Sequence, residues 1–368
     1  MRFILTCGGS GGHINPALAV ARLLREGGHE VHFIGAPSGL ERDLVPREGF
    51  PIEFVEIRSL SRSLSPKAIV KNVKTAVQTL GAAGKAKKII QRYKPNAVLG
   101  TGGYASYPAL RAAAKCKIPV LVHESNAFPG LTTKMAAKRA DAILVGMEHC
   151  REAYKHKDRV HVTGTPVRPE FFSTNRLLAK EELKLDNRPL IVSIFGSQGA
   201  RDMNRIILEL MRLEGGEWQH IHAAGPKRVD SVLQKAEEMG LAFNGTTGLR
   251  LLDYIHNMAQ AAAAADLLIC RAGASTLAEL AAAGKPAILI PSPNVAADHQ
   301  TANAKMMEKA GGVVVVPEAG LSAEKLHELV KTMLADKDKL GQMSRDIQKT
   351  SVPDSAQRIV KILMKTAK

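Results

Sequence analysis

Short apolar runs alternate along the chain with longer stretches in which apolar residues return at helical spacing. In the first half this pattern predicts strands over Arg2–Thr6, Val31–Ile34, Ile52–Ile57, Ala97–Gly100, Val120–His123 and Ala142–Val145, with helical segments between them. Regular strand–helix alternation is the pattern of a parallel sheet, whose right-handed crossovers cover both faces. Val162–Pro169 interrupts it with a glycine and two prolines and reads as a domain boundary. The alternation then resumes, with strands expected over Leu190–Phe195, His220–Ala223, Leu267–Cys270 and Ala287–Pro291. The expected fold is α/β, two doubly wound Rossmann-like domains over 1–165 and 166–349. A basic helix near the C-terminus, about 350–368, packs back on the first domain in this reading.

In doubly wound sheets the ligand lies beyond the carboxyl ends of the strands. The unusual residues of the first half fall there: Gly8–His13, Gly100–Tyr104 and His123–Asn126. The first of these, Cys7-Gly8-Gly9-Ser10-Gly11-Gly12-His13, is a strand–glycine loop–helix junction closed by a titratable imidazole. Glycines allow close approach of a ligand, and the helix start offers N–H groups and the positive end of its dipole. The plainer alternative is a tight turn that binds nothing. No Gly-Lys-Ser/Thr follows, so this is no Walker A loop, and the dinucleotide fingerprint breaks at Ile14.

Length and composition narrow the field. A chain of 368 residues with 45% hydrophobic content accommodates two folded domains. A formal charge of +16 calls for an anionic partner: nucleic acid, an anionic membrane face or a phosphorylated substrate. Aromatic residues make up only 4%, which weakens single-strand stacking, and no nucleic-acid-binding motif supports that class. The four cysteines, Cys7, Cys116, Cys150 and Cys270, are widely spaced; with no disulfide framework signalled, a reducing cytoplasm is expected. No cluster with metal-ligand spacing occurs, and no metal is expected. No apolar run reaches membrane-spanning length, so membrane contact is expected to be peripheral. Over Ser65–Pro95, Ile69, Val73, Val77 and Leu80 recur at helical spacing among Lys67, Lys71, Lys74, Lys85, Lys87 and Lys88. This is either an ordinary amphipathic helix or a basic, partly apolar patch that sits on anionic lipid.

The second half carries a further constellation, Arg271-Ala-Gly273-Ala274-Ser275-Thr276-Leu277-Ala278-Glu279. A strand ends, the backbone turns on glycine and a helix starts. Its first N–H groups suit a diphosphate, and Glu279, about one turn inside, suits vicinal sugar hydroxyls while repelling a phosphate. Helix capping by Glu279 is the alternative. Ser197, in a second glycine loop, and Arg168, at the domain junction, are candidate phosphate contacts. Asp298-His299-Gln300 and Asn303 form a polar cluster suited to sugar hydroxyls.

Taken in order, these pieces resemble the MurG-type UDP-N-acetylglucosamine transferases of bacterial cell-wall synthesis, which have the GT-B glycosyltransferase fold. The segments that carry the likeness are Gly8–His13, Gly100–Tyr104, His123–Asn126, Gly164–Arg168, Gly196–Arg201, Arg271–Glu279 and Asp298–Asn303. Each is weak alone; the ordered set spans nearly the whole chain. The resemblance implies an interdomain cleft and a donor, UDP-GlcNAc, held mostly by the second domain. The backbone near Ile255 would read the uracil, Glu279 the ribose, and Ser197 with the Ala274–Thr276 turn the diphosphate. Leu277 and Ala278 belong to the same donor segment, and Arg168 is also a donor residue. Gln300 would hold the sugar with His299 and Asn126, and Ser10, Gly11 and Gly12 would close on the sugar-phosphate side. Tyr104 and His123 fall on the acceptor side. The implied acceptor is a lipid-linked muramyl-pentapeptide diphosphate, met at the cytoplasmic face of the plasma (inner) membrane through the basic 65–95 region. No tightly bound cofactor and no nucleic acid are expected. The sequence departs mildly from the family pattern: Ser10 stands where many members have threonine, and His299 where some have glutamine.

The chemistry expected is an inverting single displacement in which the muramyl 4-hydroxyl attacks the anomeric carbon as UDP leaves. His13 is the first candidate for general base and Glu124 the second. A transferase of the same fold acting on diacylglycerol, a basic nucleic-acid-binding protein and an NAD-dependent oxidoreductase are the competing readings.

Overall fold

A computed structural model describes residues 1–57, 81–196, 199–243, 247–295 and 298–368 of the chain. The chain divides into two compact units, Met1–Val167 with Val352–Lys368, and Arg168–Ser351.

The first unit holds a seven-stranded, wholly parallel sheet. Its strands are β1 (Arg2–Thr6), β2 (Glu30–Gly35), β3 (Ile52–Phe54), β4 (Ala97–Gly100), β5 (Val120–Glu124), β6 (Ala142–Val145) and β7 (Val160–Val162), in the order β3-β2-β1-β4-β5-β6-β7. Between them run helices α1 (Gly11–Glu26), α2 (Glu41–Arg47), α3 (described over 81–93), α4 (Ser106–Lys115) and α5 (Leu131–Ala137). Side chains alternate across a strand, and β1 shows the consequence. Phe3 and Leu5 enter one core layer with α1, while Ile4 enters the other with Ala109 and Ala113 of α4. A strand buried on both faces must be apolar throughout, which is why it reads as a continuous run rather than an alternating one.

The second unit repeats the architecture with six parallel strands: β8 (Leu190–Ile194), β9 (Gln219–Ala223), β10 (Leu249–Leu252), β11 (Leu267–Cys270), β12 (Ala287–Leu289) and β13 (Val313–Val315), in the order β10-β9-β8-β11-β12-β13. Its helices are α6 (Glu170–Ser173), α7 (Arg176–Glu182), α8 (Arg201–Leu213), α9 (Val229–Glu238), α10 (Met258–Ala264), α11 (Ala274–Ala283), α12 (His299–Lys309), α13 (Ala323–Ala335) and α14 (Lys337–Gln348). The chain then returns to the first unit as α15 (Ser355–Thr366). Ile359 and Leu363 of α15 are fully buried beside Ile14, Val20 and Leu24 of α1. Burying two such side chains contributes roughly 3–6 kcal/mol before entropy is subtracted.

The strands that the periodicity does not reveal are β7, β10 and β13, all of them sheet edges. An edge strand has one paired side and needs no long apolar run, which accounts for β7 and β10 but not for β13, a short run of valines. Val160–Val162 carries His161 in its middle, and Leu249–Leu252 carries Arg250. Basic residues from the 65–95 segment appear on α3: Lys85, Lys87 and Lys88 are exposed while Ala82, Ala86, Ile89 and Ile90 face the core. Lys67, Ile69, Lys71, Val73, Lys74, Val77 and Leu80 lie outside the described residues.

The second sheet also buries a polar chain. Glu214 and His220 are wholly buried, with Oε1 and Nδ1 2.8 Å apart. The Ser193 hydroxyl lies 2.8 Å from both His220 Nε2 and His222 Nδ1. His222 Nε2 lies 3.2 Å from Asn204 Oδ1, and the Asn204 amide donates to the Ala224 carbonyl. Burial, helped by the nearby His220, pushes the His222 imidazole down to about 3. Above its ordinary value of 6.5 the ring is neutral folded or unfolded, so it costs nothing. Below 6.5 the unfolded chain takes a proton that the folded chain refuses, so stability is lost as pH falls, by about 1.4 kcal/mol per pH unit. Urea unfolding of the wild type and His222→Gln should therefore diverge: from about pH 7.5 to about pH 5 the wild type should lose about 2 kcal/mol more than the variant. Parallel pH profiles for the two proteins would remove this role from His222.

Candidate functional site

Strand order reverses between β1 and β4 in the first unit and between β8 and β11 in the second. At such a switch point the loops leaving the two strands diverge to opposite faces and open a crevice at the carboxyl edge. Most of the described residues singled out from the sequence lie in loops and helix starts at the carboxyl edges of the two sheets, several of them at these two places.

In the first unit, Cys7–Ser10 leaves β1 and Thr101–Ala105 leaves β4. The two loops are in backbone contact. A Cβ on Gly103 (φ +82) would run into the Gly8 carbonyl, and one on Gly102 (φ +104) would lie 2.7 Å from the His13 ring. Both positive φ values and the close approach demand glycine. The Tyr104 ring closes over Gly9. His13 stands in the first turn of α1, whose N-terminus begins at Gly11 after the exposed Ser10. Thr101 clasps it twice: the His13 Nδ1–H donates to the Thr101 carbonyl at 3.2 Å, and the Thr101 hydroxyl donates to the His13 carbonyl at 2.7 Å. A ring whose Nδ1–H is tied to a carbonyl carries its lone pair on Nε2, the tautomer a general base requires. Thr101 was not among the residues picked from sequence; its place between Gly100 and Gly102 was the available signal.

His123, at the end of β5, is fully buried and its Nε2–H donates to the Gly164 carbonyl at 3.0 Å. Burial holds it below the ordinary histidine range in spite of that bond, so it sits neutral as a structural donor. Glu124 is 3% exposed and spends both oxygens on its own loop. Oε1 accepts from the Asn126 backbone N–H and side-chain amide, at 3.1 and 2.7 Å, and Oε2 accepts from the Gly130 N–H at 2.9 Å. A carboxylate holding three N–H donors builds the 124–130 turn, and a base role fits it less well than it fits His13.

In the second unit, the loop after β8 leads into α8, and Arg271–Gly273 leads from β11 into α11. Ser197 lies outside the described residues. Gly273 is the residue before α11 and gives the helix no side-chain cap, and no acidic residue stands in the first turn, so the positive end of the helix dipole lies at Ala274-Ser275-Thr276. Leu277 is buried in the core and serves packing, while Ala278 and Glu279 are half-buried. Burial pushes the Glu279 carboxyl up to about 7, against the opposing pull of the Arg168 cation. Arg168 arrives beside α11 because α6, just after it, packs on that helix. Its guanidinium stacks 5.2 Å from the Phe171 ring, and its buried Nε has no hydrogen-bond partner among the described residues. Arg271 is held elsewhere, donating to the Ile290 and Pro291 carbonyls and pairing with Glu318 at 2.6 Å.

Beyond β12, α12 starts at His299 after Asp298 in the left-handed region. The Gln300 side-chain oxygen accepts from the Ser292 N–H at 2.8 Å, which orients its amide nitrogen. Asn303, fully buried, donates to the Ala272 carbonyl at 3.1 Å and so ties α12 to the β11 loop. Ile255, 8% exposed, follows β10 at the same carboxyl edge, beside the exposed Tyr254. Among the described residues no group of three or more His, Cys, Asp or Glu could hold a metal ion.

Comparison with known proteins adds independent findings. The N-terminal domain of glycosyltransferase family 28 matches residues 3–145, and its C-terminal domain matches residues 190–359. A protein of Acetivibrio thermocellus named UDP-N-acetylglucosamine–N-acetylmuramyl-(pentapeptide) pyrophosphoryl-undecaprenol N-acetylglucosamine transferase is 40% identical, over 99% of this chain and 97% of its own. One of the same name from a Thermoanaerobacter species is 38% identical over 99% of both chains. The crystal structure of Acinetobacter baumannii MurG superposes with a TM-score of 0.75 at 28% identity, covering 99% of each chain.

The Arg168–Glu279 pair is open to direct measurement. In a carbon-13 NMR titration the Glu279 carboxyl should titrate near 7, and in Arg168→Ala its midpoint should move higher, because an opposing positive charge has gone. The folded state then keeps a proton that the unfolded state releases near its ordinary value of 4.5. Stability is therefore lost as pH rises from about 4.5 to about 7, and Glu279→Gln should flatten that portion of the profile. A Glu279 midpoint near 4.5 would contradict the burial argument.

Proposed function

Because the chain belongs to the MurG-type transferases of glycosyltransferase family 28, we propose that it transfers N-acetylglucosamine from UDP-GlcNAc to the 4-hydroxyl of the muramyl sugar in undecaprenyl-diphospho-muramyl-pentapeptide. The observation that carries this reading is the Arg168–Glu279 arrangement at the head of α11, in a chain alike from end to end to named transferases. A half-buried carboxyl near neutrality accepts from a ribose diol. The uncapped helix start and the unpartnered guanidinium N–H meet the charge of a diphosphate. Adjacent groups of these two kinds suit a nucleoside diphosphate better than either suits an isolated sugar or phosphate.

The donor roles fall to the second unit. Glu279 takes the ribose, the backbone near Ile255 the uracil, and the Ala274–Thr276 turn, Arg168 and Ser197 the diphosphate. Gln300 and His299 take the sugar. The first unit adds Asn126 to the transferred sugar and Ser10–Gly12 to the sugar-phosphate side, with Tyr104 toward the acceptor; His123, expected on the acceptor side, is fully buried and bonded to Gly164, so it is given no acceptor contact. His13 Nε2 takes the proton of the attacking 4-hydroxyl as the oxygen bonds to the anomeric carbon. The bond from that carbon to the diphosphate oxygen breaks with inversion, and UDP carries away the electron pair. The preorganised N–H groups at α11 stabilise the charge that develops on the leaving oxygen. The Thr101 clasp sets the ring's tautomer before the acceptor arrives.

A lipid-linked acceptor brings the enzyme to a membrane surface. No helix among the described residues is long and apolar enough to cross one. The first unit carries an exposed apolar set, Phe128, Leu131 and Met135, on and before α5. Arg111, Lys138 and Arg139 line a cavity of about 270 Å³ next to it, together with Met135 and Tyr107. Apolar side chains ringed by cations are the composition that anionic lipid headgroups favour. Lys85, Lys87 and Lys88 of α3 add exposed positive charge to the same unit, and we place the protein peripherally on the cytoplasmic face of the plasma membrane.

Incubation with labelled UDP-GlcNAc and a short-chain lipid-linked muramyl acceptor should yield a β-linked disaccharide; folded protein that leaves both substrates untouched would sink the reading. His13→Ala should cut turnover by about two orders of magnitude or more while UDP affinity stays within about twofold, as expected when a general base is removed. Near-normal turnover would exclude the base role. For the membrane contact, the double variant Leu131→Glu, Met135→Glu should co-sediment with phosphatidylglycerol vesicles at least fivefold less than the wild type, by about 1 kcal/mol or more; unchanged sedimentation would move the contact elsewhere.

A further inference from the structure

Glu41 is one of the most deeply buried charged side chains in the first unit, at 0% exposure, and nothing in its sequence context marks it out. It is the first residue of α2 and projects under the carboxyl edge of the sheet. Its Oε1 accepts from the Ala36 N–H at 2.9 Å, in the loop leaving β2. Its Oε2 accepts from the Gly9 N–H at 3.0 Å, in the loop leaving β1. One carboxyl group thus bridges the backbones of two adjacent strand ends.

Two consequences follow from that geometry. A carboxyl removed from water is tolerated only when its oxygens find donors, and here both donors are backbone N–H groups. The contact therefore specifies the path of the Gly9 backbone instead of merely packing against it. The Gly9 N–H is also committed to protein, so it is withheld from any ligand anion. The chain beyond Gly9 runs through Ser10 directly into the turn that carries His13, and from the β4 side Gly103 lies against the Gly8 carbonyl and Tyr104 against Gly9.

We propose that Glu41 is a positioning residue for the transfer reaction. It clamps the Gly9 amide so that the first glycine loop, and His13 at its far end, hold the geometry required for attack on the donor sugar. This rests on the transferase function proposed above. Glu41 is fully buried with both oxygens on backbone N–H groups, so its effect belongs in turnover rather than in donor affinity. In Glu41→Gln an NH2 group replaces one acceptor and faces a backbone N–H, a donor-to-donor clash that releases one of the two loops. Glu41→Asp keeps the charge but is one methylene shorter and cannot span both amides.

The test uses the full chain and three readouts. In Glu41→Gln and Glu41→Asp, kcat for transfer should fall at least tenfold, the UDP dissociation constant should stay within twofold, and Gly9 amide exchange should speed up at least tenfold. Variants that fold and retain wild-type kcat would overturn the proposal, and so would a loss of UDP affinity matching the loss of kcat. If neither variant folds, the wild type decides: a Gly9 amide protected at least tenfold over the unstructured rate supports the clamp, and an unprotected one overturns it. A wild type that transfers nothing would count against the transferase function itself, while the exchange measurement would still judge whether Glu41 holds the loop.

Discussion

Parallel strands buried on both faces leave a sheet with only its two edges of strand ends open to solvent, and in this protein most of the candidate site residues sit at the carboxyl edge. Each unit is built from such a sheet, and each sheet reverses its strand order once, at β1/β4 and at β8/β11. The reversal sends neighbouring crossovers to opposite faces and separates two adjacent loops. Helices α1 and α11 both begin at these places, so both present an N-terminus to the opening. The apolar interior is the constraint; the position of the site follows from it.

The two openings are furnished differently, in keeping with the division of roles proposed above. In the second unit, an uncapped helix start, an arginine with an unspent N–H and a glutamate pushed up to about 7 occupy one neighbourhood. They are the groups to which the proposed function assigns the nucleotide. In the first unit the polar groups are mostly spent on one another: Thr101 on His13, Glu41 on Gly9, Glu124 on Asn126 and Gly130. A site that must orient one proton acceptor gains from such internal saturation, since each bond removes a way for the ring to move. A site proposed to receive a charged nucleotide gains from a cation such as Arg168, whose Nε has no partner among the described residues.

Buried polar groups away from the openings serve the scaffold. The chain from Glu214 through His220, Ser193 and His222 to Asn204 ends on the Ala224 carbonyl, and so ties α8 to β9 beneath the second glycine loop. Its members lie on different elements, with Ser193 on β8 and His222 on β9. Nothing in their spacing announces the association, and each alone reads as an ordinary polar residue in a strand.

Periodicity alone determined the α/β class, the two-unit division of labour between strands and helices, and the central strands, because a strand buried on both faces must be apolar throughout. The glycine loops were legible too, since few other residue types permit φ near +82 or +104 or a backbone lying against a ring. Edge strands such as β7 and β10 were not, because half their surface is free of the core's demands. Tertiary structure alone decided which of the marked residues are spent and which are available. It turned Glu124 into the keystone of its own turn, gave His13 its tautomer through Thr101, and brought Glu41 from outside every motif to the Gly9 amide. Hydrogen-bond partners 32 and 88 residues apart are chosen by the meeting of strand ends in space, and no local pattern encodes that meeting.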